Sequence, residues 1–493
     1  MTDHDGEYQW RVLDPQRAPV TALEPRSGTM NFFGEPEDYT DIPGVLTFRG
    51  NHGRNAASWG SAAVSEHKLE KVWTRASGSL RSLGSTWGGS GWTGQPLLVQ
   101  WPEATRAAMG LTGPGAAAGA VEVIYPTLSG QIFRMDLATG TDTRPTMRIA
   151  EGGFKGTGSI DPRGYPLLYA GQGLPNETDY RMRYHIFDLI KDEEVDGWGS
   201  VDGSAPDAGW GGMDSSGLVL ASADTLLEPS ENGFFISAKL NSSFDAAAKK
   251  VSINTELTRL QYRTPLTRFS GLEASIAAYR NLMYVTDNDG NMLCIDANTL
   301  NVLWARSIDD DADATLVLDP AGDKPFLYSG QEVDKRGPGA ATILRRIDGL
   351  TGKVVWEHSV PTSYDADVNG GLLATPVLGT GENNDLAIFS VAKTTSLSAG
   401  TLLALDRTTG SVVWQRELPA YTWSSPILIK TKDEHEVGFL CDSVGICHLF
   451  DPRTGTDWTT INVGTNVEAS PASFDDMIVV GTRGGEIWGI RVS

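Results

Sequence analysis

The chain has 493 residues, of which 62 are acidic and 40 basic, giving a net charge of −22. That balance excludes a nucleic-acid interface and docking on an anionic membrane, since both need clustered Lys and Arg. Three cysteines with no CxxC spacing exclude a disulfide framework, a zinc knuckle and covalent haem, and no apolar run reaches the ~18 residues of a membrane span.

Fifty-six glycines and fourteen tryptophans point to many short strands joined by tight turns. Residues 1–44 are aperiodic and rich in Pro and acid (Asp14-Pro15, Glu24-Pro25, Glu35-Pro36, Ile42-Pro43), which predicts an extended tether or surface strap. No apolar leader follows Met1. Arg49, Asn51 and Arg54 then stand in Leu46–Asn55. Arginines at this spacing suit a plug that donates to backbone carbonyls and anchors the N-terminus, with an anion clamp as the alternative.

Leu69-Glu-Lys-Val72-Trp73-Thr74 reads as an outer strand without a hairpin before it. The missing partners are at the other end of the chain, in Ile478–Ile490, so one sheet shared by both termini closes a ring and removes its edges. Trp101–Gly119 interrupts the first sheet as a surface excursion, with 245–248 a second loop insertion. Eight four-residue segments precede the apolar strands. They start at Thr93, Thr157, Asp214, Glu273, Asp313, Leu373, Trp423 and Glu468, and several carry a Pro that an innermost strand tolerates. Asp406-Arg-Thr-Thr409-Gly410-Ser-Val-Val-Trp414 is a capped turn followed by a strand. The pattern returns at Asp348–Trp356, at Asp296–Trp304 without the Gly, at Asp451–Trp458 one residue shorter, and in degenerate form at Asp136–Gly140 and Asp188–Trp198. The expected fold is all-β: an eight-bladed β-propeller of four-stranded antiparallel blades over residues 45–493, with an insertion at about 100–120.

Equivalent positions in a ring converge on the channel mouth. Four of the eight segment starts are carboxylates, Asp214, Glu273, Asp313 and Glu468, so these are the candidate metal ligands, and gathered like charges raise one another's pKa unless a cation answers them. The bland alternative is that each carboxylate accepts N–H bonds from a neighbouring loop. Trp92, Trp210 and Trp423 are expected on the same face, either as platforms for a sugar or peptide or as packing between blades. Asp287-Asn-Asp289-Gly-Asn291 resembles half a calcium loop and reads as the turn of its blade. Cys441 and Cys447 are expected to face each other across a hairpin as buried thiols. Seven scattered histidines assemble neither a triad nor a zinc site.

The Asp-x-x-Thr-Gly-x-x-x-Trp repeats, the Phe48-Arg49-Gly50-Asn51 segment, Phe154–Tyr169 and Asn369–Val377 resemble the PQQ-binding-like repeat proteins of the quinoprotein dehydrogenase superfamily, in particular their exported Gram-positive branch. The outer-membrane assembly lipoprotein is a cousin by repeat. The resemblance implies an extracellular or envelope-anchored propeller. It carries the dehydrogenase chemistry poorly, because those enzymes set an adjacent Cys-Cys pair against the quinone, and Cys294, Cys441 and Cys447 are not adjacent. The expectation is therefore a non-catalytic scaffold binding a protein, peptide or glycan at the mouth, with no membrane insertion. No cofactor is expected; Ca²⁺ is the ion the carboxylates would suit and PQQ is not expected. A PQQ- and Ca²⁺-dependent oxidoreductase and an assembly scaffold working through Trp101–Gly119 are the alternatives.

Overall fold

The computed structural model describes residues 1–4, 6–20, 23, 32–91, 94–149, 152–177, 181–199, 204–206, 210–268 and 271–493. Short β-branched and aromatic runs between Gly and Asp turns pair with their sequence neighbours, and eight antiparallel sheets result, arranged as the blades of a propeller. Blade 1 is Leu97–Val99, Glu122–Pro126, Gln131–Asp136 and Met147–Arg148, and blade 2 is Ser159–Ile160, Leu167–Gly171, Arg183–Asp188 and Glu193–Gly199. Blade 3 is Leu218–Leu220, Thr225–Pro229, Phe235–Lys239 and Glu256–Arg263, and blade 4 is Ala277–Tyr279, Leu282–Thr286, Asn291–Asp296 and Val302–Ser307. Blade 5 is Val317–Ala321, Lys324–Ser329, Ala341–Asp348 and Val354–Pro361, and blade 6 is Val377–Leu378, Leu386–Ala392, Gly400–Asp406 and Val412–Leu418. Blade 7 is Ile427–Lys430, Glu436–Cys441, Ile446–Phe450 and Asp457–Asn462. Blade 8 takes three strands from the C-terminus, Ala472–Phe474, Met477–Gly481 and Glu486–Val492, and its fourth, Leu69–Ala76, from the N-terminal side, with Glu486 opposite Ala76 and Val492 opposite Leu69. The expected closure of the ring by both ends is what the structure shows.

The core lies between blades. Leu344, Trp356, Phe389 and Leu403, for example, fill the seam of blades 5 and 6. The repeated signature is an inter-blade joint, and its two halves belong to different blades. Within a turn, Asp406 Oδ1 accepts the Thr409 N–H at 2.8 Å and the Thr409 hydroxyl at 2.9 Å. Gly410 follows at φ +73°, and a Cβ there would stand 2.6 Å from the indole of Trp356, which belongs to the preceding blade. Trp356 also donates from Nε1 to Arg407 O of that turn at 3.0 Å. Trp73, Trp304 and Trp414 make the same bond to Leu137 O, Gly349 O and Pro452 O.

The irregular copies follow from this pairing. Blade 3 carries no Trp in its outer strand, and the turn it faces in blade 4 has Leu300 in place of Gly, at φ +55°. The N-terminal Trp10 donates to Asn301 Oδ1 of that turn instead, at 3.1 Å. At the seam of blades 1 and 2, Arg134 Nη1 takes over the indole's bond, donating to Leu189 O at 2.9 Å. The shorter copy in blade 7 turns Trp458 outward to stack on His67, ring centroids 4.1 Å apart, because a one-residue slip in a strand changes the face a side chain takes.

Inside the ring, the third residue of each inner segment forms a belt across the seams. Gln95 N–H donates to Thr157 Oγ1, Ser216 N–H to Ser275 Oγ, Ser275 N–H to Thr315 Oγ1 and Thr315 N–H to Thr375 Oγ1. Thr375 N–H donates to Ser425 Oγ and Ser425 N–H to Ser470 Oγ. Ser159 Oγ donates to Gly217 O and Gln95 Nε2 to Pro471 O, so every seam is bridged. Thr315→Val keeps the shape and strands the buried Ser275 N–H. It is expected to lower stability by about 1–3 kcal/mol in urea unfolding, and an unchanged midpoint would mean the belt adds nothing to cohesion.

The channel is filled by residues 46–56. Arg49 N–H donates to Gln95 Oε1 at 2.7 Å and its guanidinium to Pro426 O and Pro376 O. Arg54 reaches Ile276 O at 2.6 Å, Phe48 O and Thr47 Oγ1 at 2.9 Å and Ser216 O at 3.0 Å. Asn51 shapes the loop by accepting the Gly53 N–H at 2.9 Å and donating to Asn55 Oδ1 at 2.8 Å. Leu46 O, His52 O and Gly53 O accept N–H bonds from Ile160, Ala278 and Leu318.

Further toward the N-terminus, Gln9–Leu13 pairs with the outer strand of blade 3 and Thr2–Asp3 with that of blade 4. Within the excursion of blade 1, Glu103–Met109 is a helix whose Met109 packs with Trp101 and Ile42, and Trp101 donates to Glu122 Oε2 at 2.7 Å. No helix among the described residues is long and apolar enough to cross a membrane. Cys441 and Cys447 are direct partners across their hairpin, both buried as free thiols with sulfurs 2.6 Å apart, and burial together with Cys447 pushes the Cys441 thiol well up. Neither thiol should react with iodoacetamide at pH 8 until the protein is unfolded, as mass spectrometry before and after denaturation would show.

Candidate functional site: the channel mouth

Each inner strand starts on one face of the ring, and antiparallel pairing returns the turn between second and third strands to that same face. The mouth is therefore lined twice per blade. On blades 3 to 5 this brings Asp214, Glu231, Glu273, Asp311, Asp313 and Glu332 together, with Lys155 and Lys335 as their cations. One oxygen each from Asp214, Glu231 and Glu273 lies within 4.8 Å of the others. Lys155 Nζ pairs with Asp214 Oδ2, and Lys335 Nζ with Asp311 Oδ2 at 3.0 Å. Trp210 Nε1 donates to Glu231 Oε2 at 2.7 Å and Asn369 Nδ2 to Glu332 Oε2 at 2.9 Å.

Six carboxylates face two ammonium groups, and the difference is met by protons. Burial pushes the Asp214 carboxyl up against the pull of Lys155, with Glu273 adding to the rise. Burial raises Glu231, Asp311 and Asp313 well above the usual carboxylate range, reinforced by Glu273 and, for Asp311 and Asp313, by Glu332. Glu332 is pushed up to about 7 by burial, with Glu273 and Asp334 adding to it. Glu273 moves the other way: burial would raise it, but Lys155 and hydrogen bonds with Glu231, Asp313 and Asn288 hold it below its ordinary value. The arrangement is an ionised hub accepting from protonated neighbours. It can donate and accept hydrogen bonds on one surface.

Of the residues singled out in the sequence, Asp214 and Glu273 meet, and Asp313 joins them through Glu273. Glu468 sits apart from this group, bonded by Asn466 Nδ2 at 2.8 Å and paired with Arg483 Nε at 3.5 Å. Trp423 is buried against Leu373 and Ala392 between blades, while Trp210 is half-buried beside Glu231. Trp92 lies outside the described residues. Arg49, Asn51 and Arg54 are in the plug, bonded to backbone and to each other's loop. Asp287 is a turn residue whose Oδ1 accepts the Asp289 and Asn291 N–H groups. Glu231, Glu332, Lys155 and Lys335 went unread in the sequence. The first two occupy the turns between second and third strands, in register with Asp287–Gly290, and aligning those turns as well as the strand starts is the signal that finds them.

Residues 242–429 match the family model described as outer membrane protein assembly factor BamB, less than half of the chain. No curated protein matches. Among solved structures, BamB from Moraxella catarrhalis is 15% identical, with 75% of this chain and 93% of that one covered and a TM-score of 0.49. The computationally designed Ika8 protein is 13% identical, covering 85% and 100% at a TM-score of 0.47. The quinohemoprotein alcohol dehydrogenase of Comamonas testosteroni is 13% identical, covering 91% and 80% at a TM-score of 0.44. With eight blades closed into a ring, the chain is an eight-bladed β-propeller, and its residues 242–429 are similar to PQQ-like repeats.

Proposed function

We propose that the protein is a non-catalytic binding scaffold of the cell envelope that engages a protein, peptide or glycan partner on the channel mouth. The observation that carries this reading is the contrast between the two parts of the channel. The interior is filled by the chain's own residues 46–56, while the mouth gathers six carboxylates from three consecutive blades beside Trp210. Carboxyls that hold both protons and charge suit hydroxyls, amides and ammonium groups, which are the polar chemistry of glycans and peptides. The match of residues 242–429 to a family described as an outer membrane assembly factor supports an envelope setting and a protein partner.

The test is a glycan array and a phage-displayed peptide library probed with the full chain and with a variant carrying Asp214→Asn, Glu273→Gln, Asp313→Asn and Glu468→Gln. Ligands retained by the wild type and lost by the variant are expected. Equal retention by both would move the site off the mouth, and an absence of ligands in both screens would remove the reading.

A further inference from the structure

We propose that Lys155 is a tethered counter-ion: its ammonium occupies a cation site formed by Asp214, Glu231 and Glu273, and removing it leaves a site that takes a divalent cation through oxygen ligands. The inference concerns what fills the site in the free protein and does not rest on any partner at the mouth.

Lys155 lies on the connection from blade 1 to blade 2 and is buried, 7% exposed, where a lone ammonium would be costly. Its Nζ pairs with Asp214 Oδ2, and one oxygen each of Glu231 and Glu273 lies within 4.8 Å of an Asp214 carboxylate oxygen. The backbone is cut to fit the pair. A Cβ on Gly173 would fall 1.8 Å from Asp214 Oδ1 and 2.6 Å from Lys155 Cβ and Cδ, and a Cβ on Gly212 would fall 1.7 Å from Glu231 Oε1. Both glycines are needed for the carboxylates and the lysine stem to share this space.

The three carboxylates have the geometry of a hard-cation site. A Ca²⁺ ion about 2.3–2.6 Å from each oxygen accepts oxygens up to about 5 Å apart, and the three here lie within 4.8 Å. Glu231 is 5% exposed, and among the described residues no N–H or O–H group donates to its Oε1, nor to Asp214 Oδ1. Those atoms are open to a proton, a water or a cation. A single ammonium answers one charge of the cluster and leaves the rest to protons, whereas a divalent ion would answer two. With Lys155 in place, an entering ion meets a charge of its own sign that cannot diffuse away. The site is of metal-binding shape and is filled from within.

The measurement is Ca²⁺ titration after exhaustive chelation, read by thermal melting and by calorimetry, on the wild type, Lys155→Met and Lys155→Arg. The wild type and Lys155→Arg are expected to be flat. Lys155→Met is expected to bind Ca²⁺ and to melt about 3 °C higher at a concentration 100-fold above its Kd. The shift should disappear when Glu231→Gln is added. A Ca²⁺ response in the wild type equal to that of Lys155→Met would overturn the proposal, as would a folded Lys155→Met with no response. If Lys155→Met does not fold in chelator, refolding in Ca²⁺ is expected to recover it, and failure to do so counts against the proposal equally.

Discussion

Arg54→Leu is expected to lower the stability of the whole ring by about 3–5 kcal/mol, the cost of removing one side of a buried charged hydrogen-bond set. Arg54 is fully buried and reaches Ile276 O, Ser216 O, Phe48 O and Thr47 Oγ1, so its loss strands acceptors on blades 3 and 4 as well as within the plug. Each orphaned buried carbonyl costs about 1–3 kcal/mol, and leucine supplies no donor. Burial pushes Arg54 down to about 10 and Arg49 down to about 9, so both are cationic at neutral pH and both depend on these carbonyls for compensation. Urea unfolding followed by tryptophan fluorescence would read the loss. A variant as stable as the wild type would show that the plug is a passenger in the channel.

Glu332→Gln should act in the opposite direction and raise stability above pH 7. In the folded protein the Glu332 carboxyl is pushed up to about 7 from an ordinary 4.5, by burial and by Glu273 and Asp334, with Asn369 and Asp313 opposing through hydrogen bonds. The native state thus keeps a proton that the unfolded chain has released between those two values. Stability therefore falls as pH rises from about 4.5 to about 7, by on the order of 3 kcal/mol, and the full cost applies above that range. Glutamine can still accept from Asn369 and carries no charge to desolvate. Asp311, Asp313 and Glu231 are raised for the same reason, so they add a slope of the same sign in the wild type. Urea midpoints at pH 5, 6.5 and 8 check both statements. A variant less stable than the wild type at pH 8 would mean that the Glu332 charge is compensated.

The fold was legible because its signals repeat. The eight inner segments and the Asp-x-x-Thr-Gly turns carry the same spacing from blade to blade, and Leu69–Thr74 could be matched to Ile478–Ile490 because neither end makes a complete sheet alone. What a single repeat conceals is which blade each residue serves. Trp356 and Gly410 lie 54 residues apart in sequence and in contact in space, so the motif's glycine and its tryptophan read as one unit while acting as halves of two. The site was half legible for a related reason. Asp214, Glu273 and Asp313 share a strand register and can be aligned. Glu231 and Glu332 belong to a second register, that of the turns between second and third strands, and Lys155 lies outside any strand, so the register of strand starts alone does not reveal them. The pairing of Glu468 with Arg483 depends on the turn in blade 8, again beyond what one register reveals.

The shared eighth blade has a consequence for how the molecule is made. Leu69–Ala76 leaves the ribosome before the other three strands of its blade and has to wait for Glu486–Val492. Throughout translation the protein is an open arc with two bare sheet edges, and residues 46–56 are ready as a hub before any blade exists to surround them. Blades can be laid onto that hub one at a time by local hairpin pairing, but locking them is a single late event of very long sequence separation. A chain cut short by even one strand would be left with exposed edges and an occupied axle, a species for chaperones and proteases to find, whereas the finished wheel has nowhere to begin to unravel.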